Sequence, residues 1–298
     1  MALVISDVVK RYGDNIAVDN ISFEIEKPGV FGLLGTNGAG KTTTIRMILG
    51  ILAKDSGIIT WDGKPITRET VNFGYLPEER GLYPKAKVAE QLIYFAKLRG
   101  LDGKTAKKAA EHWFERLDVA QYANKIAEHL SKGNQQKIQL ISALIHDPEL
   151  IILDEPFSGL DPINTDLFKS VINELVGKGK FIIMSSHQMQ SVEEYCQEIL
   201  ILKDGKTILK GNLKEIKNGY GRTNLAINCN ESIDDLIHEE GIHITSKNAT
   251  GYELKIKTEN QAYSLLEKML QQKYKLDKFE IREPSLHEIF IEKVGDSR

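Results

Sequence analysis

Val30-Phe-Gly-Leu-Leu34-Gly35-Thr-Asn-Gly-Ala-Gly40-Lys41-Thr42-Thr-Thr-Ile45 decides the fold. Val30–Leu34 is a short apolar run and reads as a buried strand. From Lys41 to Leu52 the apolar residues Ile45, Ile48, Leu49 and Leu52 fall at helical spacing. Between strand and helix lies a match to G-x-x-x-x-G-K-[ST], the P-loop pattern. Its glycines let the backbone curl so that successive N–H groups point at phosphate oxygens, and the following helix adds its positive end. Gly35, Asn37, Gly38, Ala39, Gly40, Lys41, Thr42 and Thr43 are therefore candidate nucleotide-binding residues. Lys41 should reach the β- and γ-phosphates, and the Thr42 hydroxyl should bind Mg²⁺. The alternative is a plain glycine-rich turn, which explains neither the preceding strand nor the following helix.

Working outward, Leu150-Ile-Ile-Leu-Asp154-Glu155 is a second apolar strand, and it ends in two carboxylates. Ligands bind at the carboxyl edge of a parallel sheet. Asp154 would hold Mg²⁺ and Glu155 would take a proton from the attacking water. A third apolar run, Phe181–Met184, leads into Ser185-Ser-His187. His187 is placed to contact the γ-phosphate and that water. A helix near Asn164–Val176 joins the second and third runs, so they form a βαβ unit and the core is a parallel sheet. Lys85–Ala127 reads as largely helical, and Gln135–Ile145 carries Ile138, Ile141, Leu144 and Ile145 on one helix face. Near the start of the chain, Leu3–Val9 and Ile21–Ile25 alternate like half-buried strands.

After Lys210 the texture changes. Gly211, Gly219 and Gly221 punctuate a lysine-containing stretch that reads as a linker. Beyond it the pattern is strand (224–228), helix (232–239), strand (243–246), a turn at Asn248-Ala-Thr-Gly251, strand (252–257), helix (259–271), strand (276–281) and helix (285–294). That order, βαββαβ before the last helix, resembles a small ferredoxin-like α+β domain. The expected division is 1–215 for the nucleotide-binding domain and 222–298 for an accessory domain. Nothing in the tail looks catalytic; it serves either fold and dimer stability or a regulatory or membrane-partner role.

Bulk properties narrow the classes. The formal net charge of -3 gives no electrostatic footprint for nucleic acid. The two cysteines, Cys196 and Cys229, have no metal-ligand spacing and form no disulfide framework; they suit a reducing compartment as inert buried thiols. Met1–Lys10 lacks the apolar stretch of a signal peptide. The longest apolar runs are strand-length, far below the ~18 residues of a membrane helix, so a transport role would require a separate membrane partner.

With these residues in view, the chain is identified as resembling the ATP-binding-cassette (ABC) ATPases. Leu130-Ser131-Lys132-Gly133-Asn134-Gln135-Gln136 is similar to the family's signature, usually written LSGGQ, and Gln135 precedes Asp154 by 19 residues, as in that family. Ser158-Gly-Leu-Asp161 resembles the D-loop. Tyr12-Gly13 resembles the A-loop, whose aromatic ring stacks on adenine, and Gly74-Tyr-Leu-Pro-Glu78 resembles the Q-loop. His187 fits the switch histidine. The resemblance covers residues 1 to about 215. It implies a P-loop NTPase with a RecA-like parallel sheet, an antiparallel β subdomain and a helical subdomain. It also implies a head-to-tail dimer, homo- or heteromeric, with each ATP between one P-loop and the partner's Ser131, Lys132, Gly133, Asn134 and Asp161. Catalytic Glu155 and His187, and Mg²⁺ near Thr42, Glu78 and Asp154, follow the same pattern.

The chain departs from the usual motif at Glu78, where glutamine is usual, at Lys132, where glycine is usual, and at Asn134, where glutamine is usual. These features, with Glu283-Pro-Ser-Leu-His-Glu-Ile-Phe290, resemble bacterial exporter ATPases that carry an appended carboxy-terminal domain, relatives linked to sodium efflux among them. The resemblance implies a cytoplasmic protein, peripheral on the inner face of the cell membrane, driving a separately encoded permease. The competing reading is an ABC ATPase with a translation- or DNA-associated role. Such proteins usually carry two cassettes or a long coiled-coil insertion, and this chain has neither.

Overall fold

The computed structural model describes residues 3–67, 69–79, 81–248 and 251–295. Arg80 and the centre of the expected 248–251 turn, Ala249 and Thr250, lie outside the described residues. The chain divides into two compact units, Met1–Lys210 and Gly211–Arg298.

In the first unit, β1 (Leu3–Tyr12) and β2 (Asn15–Ile25) form an antiparallel hairpin, and β4 (Ser56–Trp61) and β5 (Lys64–Pro65) extend it in the order β2-β1-β4-β5. The second sheet contains β3 (Gly29–Gly35), β6 (Phe73–Leu76), β7 (Leu150–Asp154), β8 (Phe181–Ser186), β9 (Glu198–Lys203) and β10 (Lys206–Asn212), in the order β10-β9-β3-β8-β7-β6. From β9 through β6 its neighbours pair in parallel. The first and second sheets share one apolar core: Phe23 stacks on Phe31 with centroids 4.7 Å apart, and Trp61 meets Phe181 edge-on at 5.1 Å. The unit also holds the helices α1 (Lys41–Ile48), α2 (Val88–Leu98), α3 (Gly103–Arg116), α4 (Lys132–Leu144), α5 (Pro162–Gly177) and α6 (Met189–Tyr195).

Register places the chemistry. Leu34 lies opposite Ser186, Asp154 opposite Ser185, and Leu76 opposite Leu153. The loops that follow β3, β6, β7 and β8 therefore leave the sheet at one edge, its carboxyl edge.

In the second unit, α7 (Leu213–Tyr220) precedes β11 (Asn224–Cys229), α8 (Asp234–Glu239), β12 (His243–Lys247), β13 (Gly251–Lys255), α9 (Glu259–Gln271), β14 (Leu276–Arg282) and α10 (Leu286–Gly295). The sheet order β12-β13-β11-β14 is antiparallel throughout and puts the first strand between the third and the fourth. Leu225, Ile227, Leu254, Leu265 and Met269 are fully or almost fully buried between this sheet and its helices. This is the expected ferredoxin-like α+β arrangement.

Two expectations need correction. Residues 211–221 are not a linker: β10 runs on to Asn212, whose side chain accepts from the backbone N–H groups of Lys214 and Glu215 at 3.1 and 3.2 Å and so caps α7. The two units divide at Lys210/Gly211. The first helix also stops at Ile48 rather than Leu52; the chain turns through Leu49 and Gly50 and leaves Ile51 exposed.

Candidate nucleotide site

The turn from β3 into α1 supplies the centre of the site. Gly40 has φ 102°, and a Cβ there would lie 2.6 Å from the Ala17 carbonyl oxygen, so the sharp entry to α1 admits only glycine. The Lys41 side chain folds back along the loop and donates to the carbonyls of Gly35 at 2.8 Å and Thr36 at 3.2 Å. Its ammonium is 3.7 Å from Glu155 Oε1, with both side chains buried.

Asp154 ends β7. Its carboxylate accepts from Ser185 Oγ on β8 and from Thr42 Oγ1 at 3.3 Å. Burial raises its pKa above the ordinary carboxylate value, and the Ser185 and Thr42 hydroxyls only partly offset this. Tyr75, beside it on β6, has its phenol pushed up to about 12 by burial and by the Asp154 charge.

Glu155 follows at φ 51°, the left-handed region that an L side chain rarely adopts. The conformation is held by its own N–H, which reaches the carbonyl and the hydroxyl of Ser185, each at 3.2 Å. The carboxylate accepts from Ser186 Oγ at 3.4 Å, and His187 Nδ1 lies 2.8 Å from Glu155 Oε1. The imidazole is 44% exposed while the carboxylate is 5% exposed, so the pair spans from core to surface. Strained backbone under a buried carboxylate is an arrangement that clusters at functional sites.

A cavity of about 350 Å³ has Asn37–Thr43, Glu78, Asp154 and Glu155 in its wall, and His187 stands behind Glu155 outside that wall. Of the residues expected to surround a nucleotide, Tyr12 and Gly35 are not part of that wall. Tyr12 is 51% exposed and pairs across the hairpin with Asn15, which is. Sequence reasoning missed Asn15, Ile16, Ala17, Asp204 and Gly205 in the lining. The Gly205 N–H donates to the Ala39 carbonyl at 3.2 Å and so ties the β9–β10 turn to the loop. An Asp-Gly pair between two strands was the available signal.

The signature and D-loop residues stand apart from the cavity of their own chain. Ser131 caps α4 by accepting from the Asn134 N–H at 3.3 Å, and Asp161 caps α5 by accepting from the Asn164 N–H at 2.9 Å. The two caps are neighbours: a Cβ on Gly133 would lie 3.1 Å from Asn164 Nδ2. Lys132 is exposed beside them. Both cysteines are buried, and burial raises both thiols, which makes them poor nucleophiles. Among the described residues no helix is long and apolar enough to cross a membrane.

Residues 18–158 match the ABC transporter family, and residues 211–294 match the family described as the C-terminal domain of DrrA1-3-like ATP-binding proteins. An uncharacterized ABC transporter ATP-binding protein, YhaQ of Bacillus subtilis (strain 168), is 50% identical over 98% of both chains. The linearmycin resistance ATP-binding protein LnrL of the same organism is 33% identical over 97% of each. A solved ATP-binding subunit of an ABC transporter superposes with a TM-score of 0.68 at 29% identity, covering 74% of this chain and 94% of that one.

Proposed function

Because this chain belongs to the ABC transporter family as an ATP-binding, ATP-hydrolysing subunit, we propose that its cavity binds ATP with Mg²⁺ and hydrolyses it in a head-to-tail dimer that drives export through a separate permease. The translation- or DNA-associated alternative does not hold, since the relatives are ATP-binding proteins of transporters. One observation carries the site reading: Lys41, Thr42, Glu78, Asp154 and Glu155 converge on one cavity, with His187 against Glu155.

In this reading the P-loop N–H groups and Lys41 bind the phosphates. Tyr12, exposed at the end of β1, stacks on adenine. Glu155 takes the proton of the attacking water. His187 fixes the carboxylate and reaches the γ-phosphate. The Thr42 hydroxyl, the Asp154 carboxylate and Glu78 are hard oxygen donors, which suit Mg²⁺; the nearness of Thr42 to Asp154 and the burial of Asp154 support that fit. When bound, the ion neutralises charge on the β- and γ-phosphates. Among the described residues no three acidic, histidine or cysteine side chains form a metal cluster, and a cation held by one or two carboxylates plus phosphates needs none.

Ser131, Lys132, Gly133, Asn134 and Asp161 lie outside their own cavity and so are available to a second subunit's nucleotide, in a homodimer or a heterodimer. The likeness to a resistance protein and the DrrA1-3-like tail support export, with the chain cytoplasmic and peripheral on the inner membrane face.

Glu155→Gln keeps the shape of the side chain and removes the base. Turnover should fall by about 10²–10⁴ with ATP binding intact, and the variant should elute as an ATP-bound dimer in size-exclusion chromatography with ATP and Mg²⁺. Wild-type hydrolysis by this variant would end the assignment.

A further inference from the structure

Helix α4 starts at the Ser131 cap and packs on β6 with no room between them. A Cβ on Gly74 would lie 2.1 Å from the Ala143 carbonyl oxygen, so strand and helix must move as one piece. About 12 Å along the helix from Ser131, at ~1.5 Å per residue, stands Gln139, only 4% exposed. Its Nε2 donates to the Pro77 carbonyl at 3.2 Å and to the Glu79 carbonyl at 2.8 Å. A primary amide carries both its N–H donors on one nitrogen. Here both are directed at the carbonyls on either side of a single residue, Glu78, which lines the cavity. One turn nearer Ser131, Gln136 Nε2 donates at 2.7 Å to the carbonyl of Pro156, the residue after Glu155. A buried amide such as that of Gln139 is tolerated only with its partners, and it and the half-buried Gln136 have theirs in the two loops that carry Glu78 and Glu155.

We propose that Gln139 is a positioning residue for ATP turnover: its amide holds Glu78 at the nucleotide cavity from the helix that begins at Ser131. The role rests on the reading of Glu78 as an oxygen donor toward Mg²⁺. A helix locked to β6 and clasped to the Glu78 loop transmits displacement of its Ser131 end as a rigid body. In the head-to-tail dimer that end faces the other subunit's ATP, so closure on one nucleotide adjusts the metal side of the other.

The test uses the full-length chain and ATPase rates over a range of Mg²⁺ concentrations. Gln139→Met keeps an unbranched side chain of similar length and has no N–H. It should lower kcat about tenfold, a fraction of the ~10²-fold that ångström-scale misplacement can cost, with KM for ATP unchanged. The half-saturating Mg²⁺ concentration should rise, as it should in Glu78→Gln, and the double variant should go no further than the larger single effect. Amide hydrogen exchange should quicken at residues 78–82 alone, which separates a released loop from a loosened fold. Wild-type turnover and Mg²⁺ dependence in Gln139→Met would overturn the proposal. So would additivity with Glu78→Gln, or exchange raised evenly over the first unit. If Glu78→Gln leaves the Mg²⁺ dependence unmoved while Gln139→Met still slows turnover and frees the loop, the metal reading of Glu78 fails and the clasp stands. If neither variant changes anything, both fail.

Discussion

In the first unit Lys41, Asp154 and Glu155 are all more than nine-tenths buried within a few ångströms of one another; in the second, Asn224 is as deeply buried. Asn224 Nδ2 donates to both Glu288 oxygens at 2.7 and 2.9 Å, Lys255 Nζ donates to Asn224 Oδ1 at 3.1 Å, and the Ser285 N–H and hydroxyl each reach Glu288 at 2.7 Å. Every oxygen in that cluster has its donors, and although burial pushes Glu288 upward, the bonds from Ser285 and Asn224 hold its pKa below the ordinary value. Asp154 ends on the other side of its ordinary value. The second unit buries polarity to fix its own fold. At Asp154 the first buries a charge that its own donors leave under-compensated, which is how a fold prepares for a charged ligand.

Four substitutions would break or sharpen this contrast. The largest effect belongs to Lys41→Ala. Losing a charge-assisted contact worth about 1.5–3 kcal/mol should weaken nucleotide affinity by about 10- to 150-fold. Titration with a fluorescent ATP analogue reads it, and unchanged affinity would detach Lys41 from the phosphates.

Asn224→Ala comes next. It strips a buried carboxylate of two donors and should destabilise the second unit by about 1–3 kcal/mol in chemical denaturation, with ATP affinity untouched. Because Glu288 titrates low in the folded chain, Glu288→Gln should also lose stability above the ordinary carboxylate range. That loss should vanish as the pH falls through the folded-state pKa.

The smallest effect on stability has the opposite sign. The raised pKa of Asp154 means that its ionised form opposes folding at neutral pH. Asp154→Asn should therefore raise the melting temperature at pH 7, with the gain disappearing below the unfolded-state pKa, while turnover is lost. A variant that melts lower at pH 7 would show that Asp154 is compensated as fully as Glu288.

What the sequence made legible follows the same divide. Strands β3, β7 and β8, buried on both faces, stood out as unbroken apolar runs, and the residues at their carboxyl ends sit together in the structure. Strand β6 did not stand out. Its four residues include Gly74, which is there to admit α4 and not for any strand preference. Strand β4 has mixed exposure without clean alternation, and its register to β1 shifts between Ser6 and Val9. The glycines around α7 resemble a flexible joint in sequence, yet Asn212, between Gly211 and Gly219, caps a helix there. Local sequence marks the Asp204-Gly205 turn, but Asn15 and Asp204 reach the cavity only through the tertiary placement of their turns.

The left-handed backbone at Glu155 carries a consequence for anyone who mutagenises this chain at random. A non-glycine residue in that conformation typically costs about 1–3 kcal/mol, and this one also brings a buried carboxylate. A library screened only for heat resistance should thus drift at position 155 toward glycine, which relieves both. Its survivors would be enriched in proteins that grip nucleotide and cannot discharge it. Soluble expression and thermal shift would report success while the motor had been stalled, so any such campaign needs phosphate release as a second gate.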